Sequence, residues 1–439
     1  MAKRPATDGA PRPLAPTVTA AYRDAVDVAD SYRAVRTAVR VDRGILRVGN
    51  RFVPLDRYRE IAFVALGNAS ASLALGLWET LGERLTQGIV AGATPTPSNV
   101  PFRSWVVPPG YPGGEVGISV AASVEELSRG LGPRDLLILL LSPGGLSALS
   151  TPPAGVTGPE WQRLLAAMAR AGAGGGELTG FVRCFGGGVV GGRLGRVATA
   201  GEIETLILDR GDGPANVAGG PTIPLLPEEA ASARALLQRH ASLPEMVPRV
   251  AELRRPPPPE EPLQRAGLHR PVVLLGPADA LRGASDAFAD RRWVCRLGEM
   301  TIPGPPEAAA ERLLARAEEL LAELRWTPHG GADPVGAAPR SEARVGAAIF
   351  AGVTLGLPEG IEESEATDRF LRSAQRGLTR RGSAVILLPT AGATVPGRGP
   401  PGGYVEAEAP PGTIVRSLPM RAGLTDVGPV AIAAYRAEG

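Results

Sequence analysis

Short apolar runs recur along this chain and predict buried β-strands. Each is four to six residues long, and most are continuous rather than alternating with polar residues. Strands that are covered on both faces show this pattern, which is typical of parallel sheets. The runs lie at 61–66, 136–141, 205–208, 272–275, 384–388 and 430–435.

Helical periodicity occupies several intervals between these runs. At 159–170, apolar residues such as Trp161, Leu164 and Met168 recur at helical spacing. The segment 306–325 repeats the pattern, and the proline at its start suits the first turn of a helix. Strands that alternate with helices predict an α/β fold with mostly parallel sheets.

A proline-rich segment marks the predicted boundary between two domains. Residues 254–262 read RRPPPPEEP, which cannot continue a helix and favours extended polyproline geometry. A chain of 439 residues is long enough for two domains. We expect a disordered tail at 1–17, a first domain at 18–254, a linker at 255–267 and a second domain at 268–439.

Charge and composition exclude several classes of protein. The 47 basic and 45 acidic residues give a net charge of +2, which provides no electrostatic footprint for nucleic acid. Two cysteines make no disulfide framework, and three scattered histidines lack the spacing of a metal site. No apolar run reaches the length of a membrane span, and the first residues lack the apolar core of a signal peptide. We therefore expect the protein in the cytoplasm.

The chain contains a single lysine, Lys3, although arginine is abundant. Because Lys3 lies in the predicted tail, no lysine ammonium is expected to bind a phosphate or form a Schiff base within the fold. A GC-rich genome explains the general bias, since such genomes favour arginine codons. That bias alone would leave an arginine in place of each functional lysine.

Small polar residues follow the first predicted strand. Gly67, Asn68 and Ser70 come directly after the run 61–66, where a helix is expected to begin. Free backbone N–H groups at such a position can hold an anion. Alternatively, Asn68 or Ser70 caps the helix and the loop holds nothing.

A glycine pair follows the second predicted strand. Ser142, Gly144, Gly145 and Ser147 come after the run 136–141, and glycine lets the backbone approach a ligand closely. The loop is not a Walker A motif, because the lysine and the spacing are missing. Its proline also removes one N–H donor. A structural turn and a ligand-binding loop are equally compatible with this segment.

Two further loops carry charge. Arg183 and Arg193 flank a glycine-rich stretch and could bind an anionic group bidentately, or lie as solvated surface arginines. Asp209 and Asp212 follow the run 205–208 and could hold Mg²⁺ together with a phosphate. Each aspartate alone is also a common turn residue.

In this order, the four loops resemble those of the type-2 glycerate kinase family over about residues 20–255. Supporting runs include RVGNRFVPLDRYREI, PPAGVT, GGRL and GGPT. The resemblance implies a Rossmann-like domain with a mostly parallel sheet, then a smaller mixed α/β domain of the MOFRL type, with a cleft between them. It also implies transfer of phosphate from ATP to the 2-hydroxyl of D-glycerate. The nucleotide- or anion-binding positions it implies are Gly67, Ser142, Gly144, Gly145, Ser147, Gly220 and Thr222.

Several cations of that family are replaced in this chain. The lysine of its Gly-Lys-Ala run corresponds to Asn68, and two further lysines correspond to Cys184 and Val190. A family arginine corresponds to Ile361, and a histidine corresponds to Tyr111. None of these cations became arginine. One positioned cation is worth about 10³ to 10⁵ in the rate of phosphoryl transfer, so their loss bears directly on activity.

The replacements favour a glycerate-kinase-like protein that has lost catalysis and has a binding, regulatory or scaffolding role, without a cofactor. The alternative is an active kinase for D-glycerate or a similar hydroxy acid, with ATP, Mg²⁺ and the cations Arg183 and Arg193. A third hypothesis uses Cys184 as a nucleophile, although a lone cysteine is usually inert. The expected partner is a small hydroxy acid or a nucleotide, with neither nucleic acid nor membrane. A homodimer or a protein partner is left open.

Overall fold

A computed structural model gives the architecture of the chain. It describes residues 30–48, 51–108, 110–209, 213–246, 248–251 and 271–290, the strands at 294–299, 346–351, 383–387, 403–405, 415–416 and 430–435, and a few single helical positions. The predicted tail at 1–17 and linker at 255–267 lie outside these residues, as does most of the helix predicted at 306–325.

The strands, in chain order, are β1 (Val39–Asp42), β2 (Ile45–Val48), β3 (Arg51–Pro54), β4 (Glu60–Leu66), β5 (Gln87–Gly92), β6 (Arg103–Val106), β7 (Asp135–Leu141), β8 (Ser150–Thr151), β9 (Gly187–Gly188), β10 (Glu202–Leu208), β11 (Val272–Leu275), β12 (Val294–Glu299), β13 (Gly346–Ala351), β14 (Ser383–Leu387), β15 (Gly403–Val405), β16 (Val415–Arg416) and β17 (Val430–Tyr435).

The α-helices are α1 (Ser31–Ala38), α2 (Ser70–Leu81), α3 (Glu115–Gly130), α4 (Leu146–Leu149), α5 (Gly158–Arg170), α6 (Gly175–Phe185), α7 (Arg193–Val197), α8 (Pro227–Arg239), α9 (Pro248–Ala251) and α10 (Pro277–Ala289). Short 3₁₀ turns lie at Leu55–Arg57, Gly82–Arg84 and Pro214–Gly219. Within the described part of the chain, no helix combines the length and the apolarity needed to cross a bilayer.

The first six-stranded sheet is parallel throughout, with the strand order β11-β10-β7-β4-β5-β6. The chain moves outward from β4 through β5 to β6, and then returns to place β7 on the other side of β4. The order of strands therefore reverses between β4 and β7. In open α/β sheets, ligands bind beside the carboxyl ends of the strands at such a point.

Consecutive residues of the central strands face two separate apolar layers. On β4, Phe63 and Ala65 join one layer, whereas Val64 and Leu66 join the other. Helices α2 and α10 contribute to the first layer and α3 to the second. Because both faces of the sheet are covered, β7 is buried along its whole length. This explains the continuous apolar runs and confirms the predicted α/β fold.

The parallel sheet extends past the predicted domain boundary. Strand β11 follows the proline-rich linker, yet it pairs in parallel with β10. Leu281, Ala284 and Phe288 of α10 are also buried in the apolar layer that β4 and β7 share. Residues 272–289 therefore complete the first sheet and its core, and the start of the second domain at residue 268 stays a prediction. The sequence hides this pairing because the linker separates the two strands.

The second six-stranded sheet is mixed, with the order β12-β13-β17-β14-β15-β16. Strands β12 and β13 are parallel, and the remaining neighbours are antiparallel. The runs predicted at 384–388 and 430–435 correspond to β14 and β17. These strands agree with the predicted α/β fold class, whereas the cleft between the two halves stays a prediction.

A charged cluster joins the small antiparallel sheet β1-β2-β3 to β10. Arg51 of β3 forms an ion pair with Glu204, whose side chain is buried. Arg51 and Arg57 also approach the Glu202 carboxylate, at 3.6 and 3.3 Å, and Tyr58 donates a hydrogen bond to it. Burial raises the pKa of Glu204, while Arg51 opposes that change.

The raised pKa of Glu204 predicts a pH-dependent stability. A carboxyl with a folded-state pKa above its unfolded value, which is about 4.3 for Glu, stabilises the fold most below that unfolded value. This contribution is lost as the pH rises through the folded-state pKa. We therefore expect the wild-type chain to lose stability relative to Glu204→Gln as the pH rises above about 4. Urea unfolding over a pH series measures this.

The matched control for this pH series is Glu83→Gln. Glu83 is exposed in a 3₁₀ turn, away from the charged cluster. Its pH profile should follow that of the wild type. Parallel profiles for the wild type and Glu204→Gln would contradict the expected role of Glu204.

Candidate ligand-binding site

The loop between β4 and α2 is hydrogen-bonded within the protein at four consecutive backbone N–H groups. Gly67 N donates to the carbonyl of Ala91 (2.9 Å), and Asn68 N to the carbonyl of Pro143 (2.8 Å). The next two amides donate to the Ser142 hydroxyl (3.0 Å) and to the carbonyl of Gly67 (3.1 Å). These amides already have acceptors, so they offer no free donor to an anion.

Asn68 stands where the resembled family has a lysine. Its side chain is half-buried and points to the loop that follows β7, since a Cβ at Gly144 would lie 2.6 Å from Asn68 Oδ1. The two loops predicted from the sequence therefore meet. The side chain of Asn68 places an uncharged amide between the two loops, whereas a lysine would place a positive charge there.

Ser142 connects the ends of β4 and β7. Its backbone N–H and its hydroxyl both donate to the carbonyl of Leu66, at 2.8 and 3.0 Å, and the hydroxyl accepts from the Ala69 amide. The side chain is fully buried. Ser142 thus has a structural part in fixing the loops, and it does not line the cavity described below.

The rest of this loop turns into α4. Gly145 N donates to the carbonyl of Ser142 (3.2 Å), and Ser147 N donates to the carbonyl of Gly144 (3.3 Å). The Ser147 hydroxyl donates to the carbonyl of Gly110 (2.9 Å), which belongs to another loop. Gly144 and Ser147 are at the surface or partly exposed, whereas Gly145 is buried.

A cavity of about 260 Å³ opens beside these loops. The polar side chains in its described wall come from four different segments, and they are Tyr111, Ser147, Thr179, Asp209 and Asn216. Apolar side chains of α4, α5 and α6 complete much of the wall. Within the described lining, Asp209 supplies the one carboxylate, and no side chain is basic.

Tyr111 forms one wall of the cavity and is held from two sides. Gln162 of α5 donates to the Tyr111 carbonyl (2.9 Å), and Ser147 donates to the preceding residue, Gly110. Burial raises the pKa of Tyr111, and Arg170 partly offsets this. The phenol therefore keeps its proton near neutral pH and acts as a hydrogen-bonding group without charge.

Arg183 is buried away from the cavity lining. It lies on α6 and forms an ion pair with Glu229 of α8, and its Nη2 donates to the carbonyl of Ile223 (3.2 Å). Burial lowers the pKa of Arg183, and Glu229 opposes the change. Because its side chain is buried, Arg183 is not a solvated surface arginine, and its role as a ligand-binding cation stays a prediction. Arg183 fastens α6 to α8.

Arg193 also bonds to the protein backbone. Its Nη2 donates to the carbonyls of Gly186 (2.7 Å) and Gly187 (3.4 Å), just after the end of α6. A cation is favourable there, because the carbonyl end of a helix carries partial negative charge. Burial lowers the pKa of Arg193. Arg193 is not among the described residues that line the cavity.

The remaining predicted positions lie around β10. Thr222 is buried, and its hydroxyl shares a hydrogen bond with that of Thr205 (3.2 Å). Gly220 adopts a left-handed conformation and accepts from Gly192 N (2.9 Å). These contacts are structural. Asp209 follows β10 directly, accepts a hydrogen bond from the Gly213 amide (3.2 Å) and lines the cavity.

The predicted magnesium site rests on Asp209 alone in the described part of the chain. Asp212 lies outside the described residues. No group of three or more His, Cys, Asp or Glu side chains is placed to hold a metal ion among the residues that the structure describes. The magnesium site stays a prediction. Cys184, the nucleophile of the third hypothesis, is fully buried.

The sequence did not single out Thr179, Asn216 or Glu229. Thr179 lies one turn into α6, and Asn216 lies in the 3₁₀ turn after Asp209. Glu229 falls at the third position of α8, where a glutamate signals a helix start, and it does accept from Leu226 N (2.8 Å). The local pattern explains Glu229 as a residue of the helix start. It gives no indication of the ion pair with Arg183, because the two residues are far apart in sequence.

Comparison with known proteins identifies a matching domain family and several relatives. A family model described as "Domain of unknown function (DUF4147)" matches residues 17–254. Two proteins of Agrobacterium vitis, provisionally named hydroxypyruvate reductases, are 32% and 34% identical over 36% and 30% of this chain. Glycerate kinase of Bos taurus is 28% identical over 42% of this chain. The matches cover 42%, 30% and 37% of these relatives, which is less than half of each.

Two crystal structures share the fold along nearly the whole chain. Glycerate kinase from Thermotoga maritima has a TM-score of 0.66 at 19% identity, and it covers 96% of this chain and 99% of its own. A protein from Pyrococcus horikoshii has a TM-score of 0.62 at 16% identity, over 97% and 99%. At these identities the likeness shows the fold alone. The family model, however, matches more than half of the chain, and on that ground the chain belongs to the DUF4147 family, the domain family of type-2 glycerate kinases.

Proposed function

We propose that this chain is a glycerate-kinase-family protein that has lost phosphoryl transfer and uses its cavity to bind a small molecule, in a regulatory or scaffolding role. One observation carries the proposal. The described cavity wall contains one carboxylate, that of Asp209, and no basic side chain. Phosphoryl transfer depends on positive charge that is already in place where negative charge develops.

The two candidate arginines support this proposal. Both guanidiniums donate to backbone carbonyls, and that of Arg183 also pairs with Glu229. To serve a phosphate, either side chain would have to give up these partners and leave a buried carbonyl without a donor, which costs free energy. An arginine-based kinase site is therefore disfavoured by the contacts that these residues already make.

The described loops and cavity wall are poorly suited to hold ATP and Mg²⁺. The amides of the loop after β4 have protein acceptors, and Pro143 in the second loop has no N–H. The cavity of about 260 Å³ is also below the roughly 300 to 1,000 Å³ of sites that enclose drug-sized ligands. The described wall would neutralise little of the negative charge on the phosphates of a nucleotide, so we assign no step of the function to ATP.

The names of the relatives supply the reaction to be tested. The bovine relative and the Thermotoga maritima structure are both named glycerate kinase. Incubating the purified full chain with ATP, Mg²⁺ and D-glycerate should yield no 2-phosphoglycerate above the ATP-free control. A glycerate kinase assayed in parallel shows that the assay detects product. Turnover of about 1 s⁻¹ or more, within the ordinary range of enzymes, would contradict the proposal.

A further inference from the structure

The cavity beside the strand-end loops lies between two apolar clusters. Leu165 of α5 and Leu178 and Val182 of α6 line it, and they belong to a cluster that α5, α6 and α8 share. Val217 and Ala218 line it from the apolar layer on the α3 side of the parallel sheet. Both clusters therefore contribute apolar walls to one cavity.

Burial divides the described lining into an apolar interior and a polar rim. Among these lining residues, every one that is buried is apolar, since Pro112 and Pro143 join the five just named. The polar side chains of the wall are all half-buried and lie nearer to solvent. This arrangement favours a ligand that enters with an apolar group first and keeps its polar end at the rim.

Two hydroxyl groups of the rim can accept a hydrogen bond from that polar end. The Ser147 hydroxyl donates its proton to the carbonyl of Gly110 (2.9 Å), and that of Thr179 donates to the carbonyl of Gly175 (2.9 Å). A hydroxyl has one proton and two lone pairs, so each oxygen keeps a lone pair for an O–H group of the ligand. A single hydroxyl on the ligand can therefore be satisfied at the rim.

The cavity is large enough for a compact apolar group. Its volume of about 260 Å³ exceeds the roughly 150 Å³ of an engineered cavity, lined by Leu, Ile and Phe, that binds benzene. Water against such walls lacks hydrogen-bond partners. Each methylene of a ligand that leaves water for an apolar wall improves the affinity about fourfold.

We infer that the cavity binds a small alcohol whose other end is a branched aliphatic group, with that group between Leu165, Val182 and Val217 and its hydroxyl at the rim. This inference rests on the proposed binding role and names the class of ligand. It depends on the apolar interior of the cavity, and not on the charge or the ion pairs of the rim residues.

Two alcohols of equal size separate the ligand chemistries. Isoamyl alcohol and glycerol have the same number of non-hydrogen atoms, but isoamyl alcohol replaces two hydroxyls by a branched hydrocarbon. We expect calorimetric titration of the full chain to give a dissociation constant for isoamyl alcohol at least tenfold lower than for glycerol, with one molecule bound per chain. D-Glycerate, titrated in parallel, should also bind at least tenfold more weakly than isoamyl alcohol.

A polar substitution in the apolar interior tests the assigned contacts. Val182→Thr keeps the size of the side chain but adds a hydroxyl, which the aliphatic group of the ligand would desolvate. This variant should weaken the binding of isoamyl alcohol at least fivefold. Val120→Thr is the matched control, because Val120 is also a buried helical valine but is not among the described residues that line the cavity. A folded Val120→Thr variant should bind isoamyl alcohol as the wild type does.

A bulky side chain at the rim provides a second test should Val182→Thr fail to fold. Gly176 of α6 is exposed, and a Cβ there would point towards the Asn216 amide of the same wall, 4.0 Å away. Gly176→Leu should therefore obstruct the cavity and weaken the binding of isoamyl alcohol at least fivefold. Gly180→Leu is the control, since a Cβ at Gly180 would meet nothing within 4 Å and Gly180 is not among the described lining residues.

Several outcomes would overturn the inference. They are binding of glycerol or D-glycerate that equals or exceeds that of isoamyl alcohol, unchanged affinity for isoamyl alcohol in folded Val182→Thr or Gly176→Leu variants, or no binding of isoamyl alcohol up to about 30 mM. The failure of the proposed function is a separate result, namely ATP-dependent formation of 2-phosphoglycerate. A chain with neither turnover nor binding of isoamyl alcohol would overturn the ligand class and leave the loss of catalysis standing.

Discussion

Replacing Arg183 by alanine should lower the free energy of unfolding by about 3 kcal/mol or more. The Arg183 side chain is fully buried, and its loss leaves a void, an unpaired Glu229 and a carbonyl of Ile223 without its donor. Breaking a buried ion pair is costly for this reason, although Glu229 itself is 24% exposed and keeps some hydration. Urea unfolding of the wild type and the variant measures the difference.

The same two helices supply the matched control. Arg239 of α8 pairs with Glu177 of α6, but these side chains are 52% and 46% exposed. Exposed ion pairs contribute about 1 kcal/mol or less, so Arg239→Ala should have a small effect. If Arg183→Ala has the same free energy of unfolding as the wild type, Arg183 does not stabilise the packing of α6 against α8. A role for Arg183 in ligand binding would then be favoured.

Replacing Gly67 by alanine should be at least as damaging. Gly67 has φ of +103°, a conformation that L side chains rarely adopt. A Cβ there would also lie within 3.0 Å of the Ser142 carbonyl and hydroxyl and of the Pro143 carbonyl, which real Cβ atoms essentially never do. We expect a loss of about 3 kcal/mol or more in unfolding free energy, or failure to fold, because the clash falls on backbone.

A variant at a second glycine distinguishes the effect of backbone strain from the effect of a steric clash. Gly82, which follows α2, has φ of +54°, and a Cβ there would meet nothing within 4 Å. Gly82→Ala should therefore cost only the conformational strain of a sparsely populated backbone region, about 1 to 3 kcal/mol. Thermal unfolding of the two variants compares them directly. Equal losses for Gly67→Ala and Gly82→Ala would mean that the close approach between the loops after β4 and β7 does not matter for stability.

The sequence predicted the buried strands of the parallel sheet for a clear physical reason. Continuous apolar runs such as 136–141 reflect burial on both faces of a strand. This pattern can be recognised in the sequence without knowing which strands pair with one another. Gly67, Ser142 and Gly144 follow neighbouring parallel strands, and the carboxyl ends of such strands lie at one edge. Their proximity could therefore be expected before any contact was known.

The roles of individual side chains could not be predicted in the same way. Arg183 and Glu229 are 46 residues apart, and each has an ordinary local explanation. Nothing in the run around Arg183 indicates that its charge is buried and paired. Similarly, Thr179 and Asn216 became candidates only when folding placed them around one cavity with Asp209. Tertiary packing, rather than local pattern, decides these roles.

The pairing of β11 with β10 limits how this protein could have been assembled in evolution. A segment that carries its own complete sheet can be gained, lost or exchanged by recombination at a flexible joint. Here the joint is rich in proline, but the residues directly after it supply the last strand of the sheet that precedes it. Exchange at that joint would leave β10 with an unpaired edge, a template for aggregation. The two halves of the chain are therefore expected to have been inherited together.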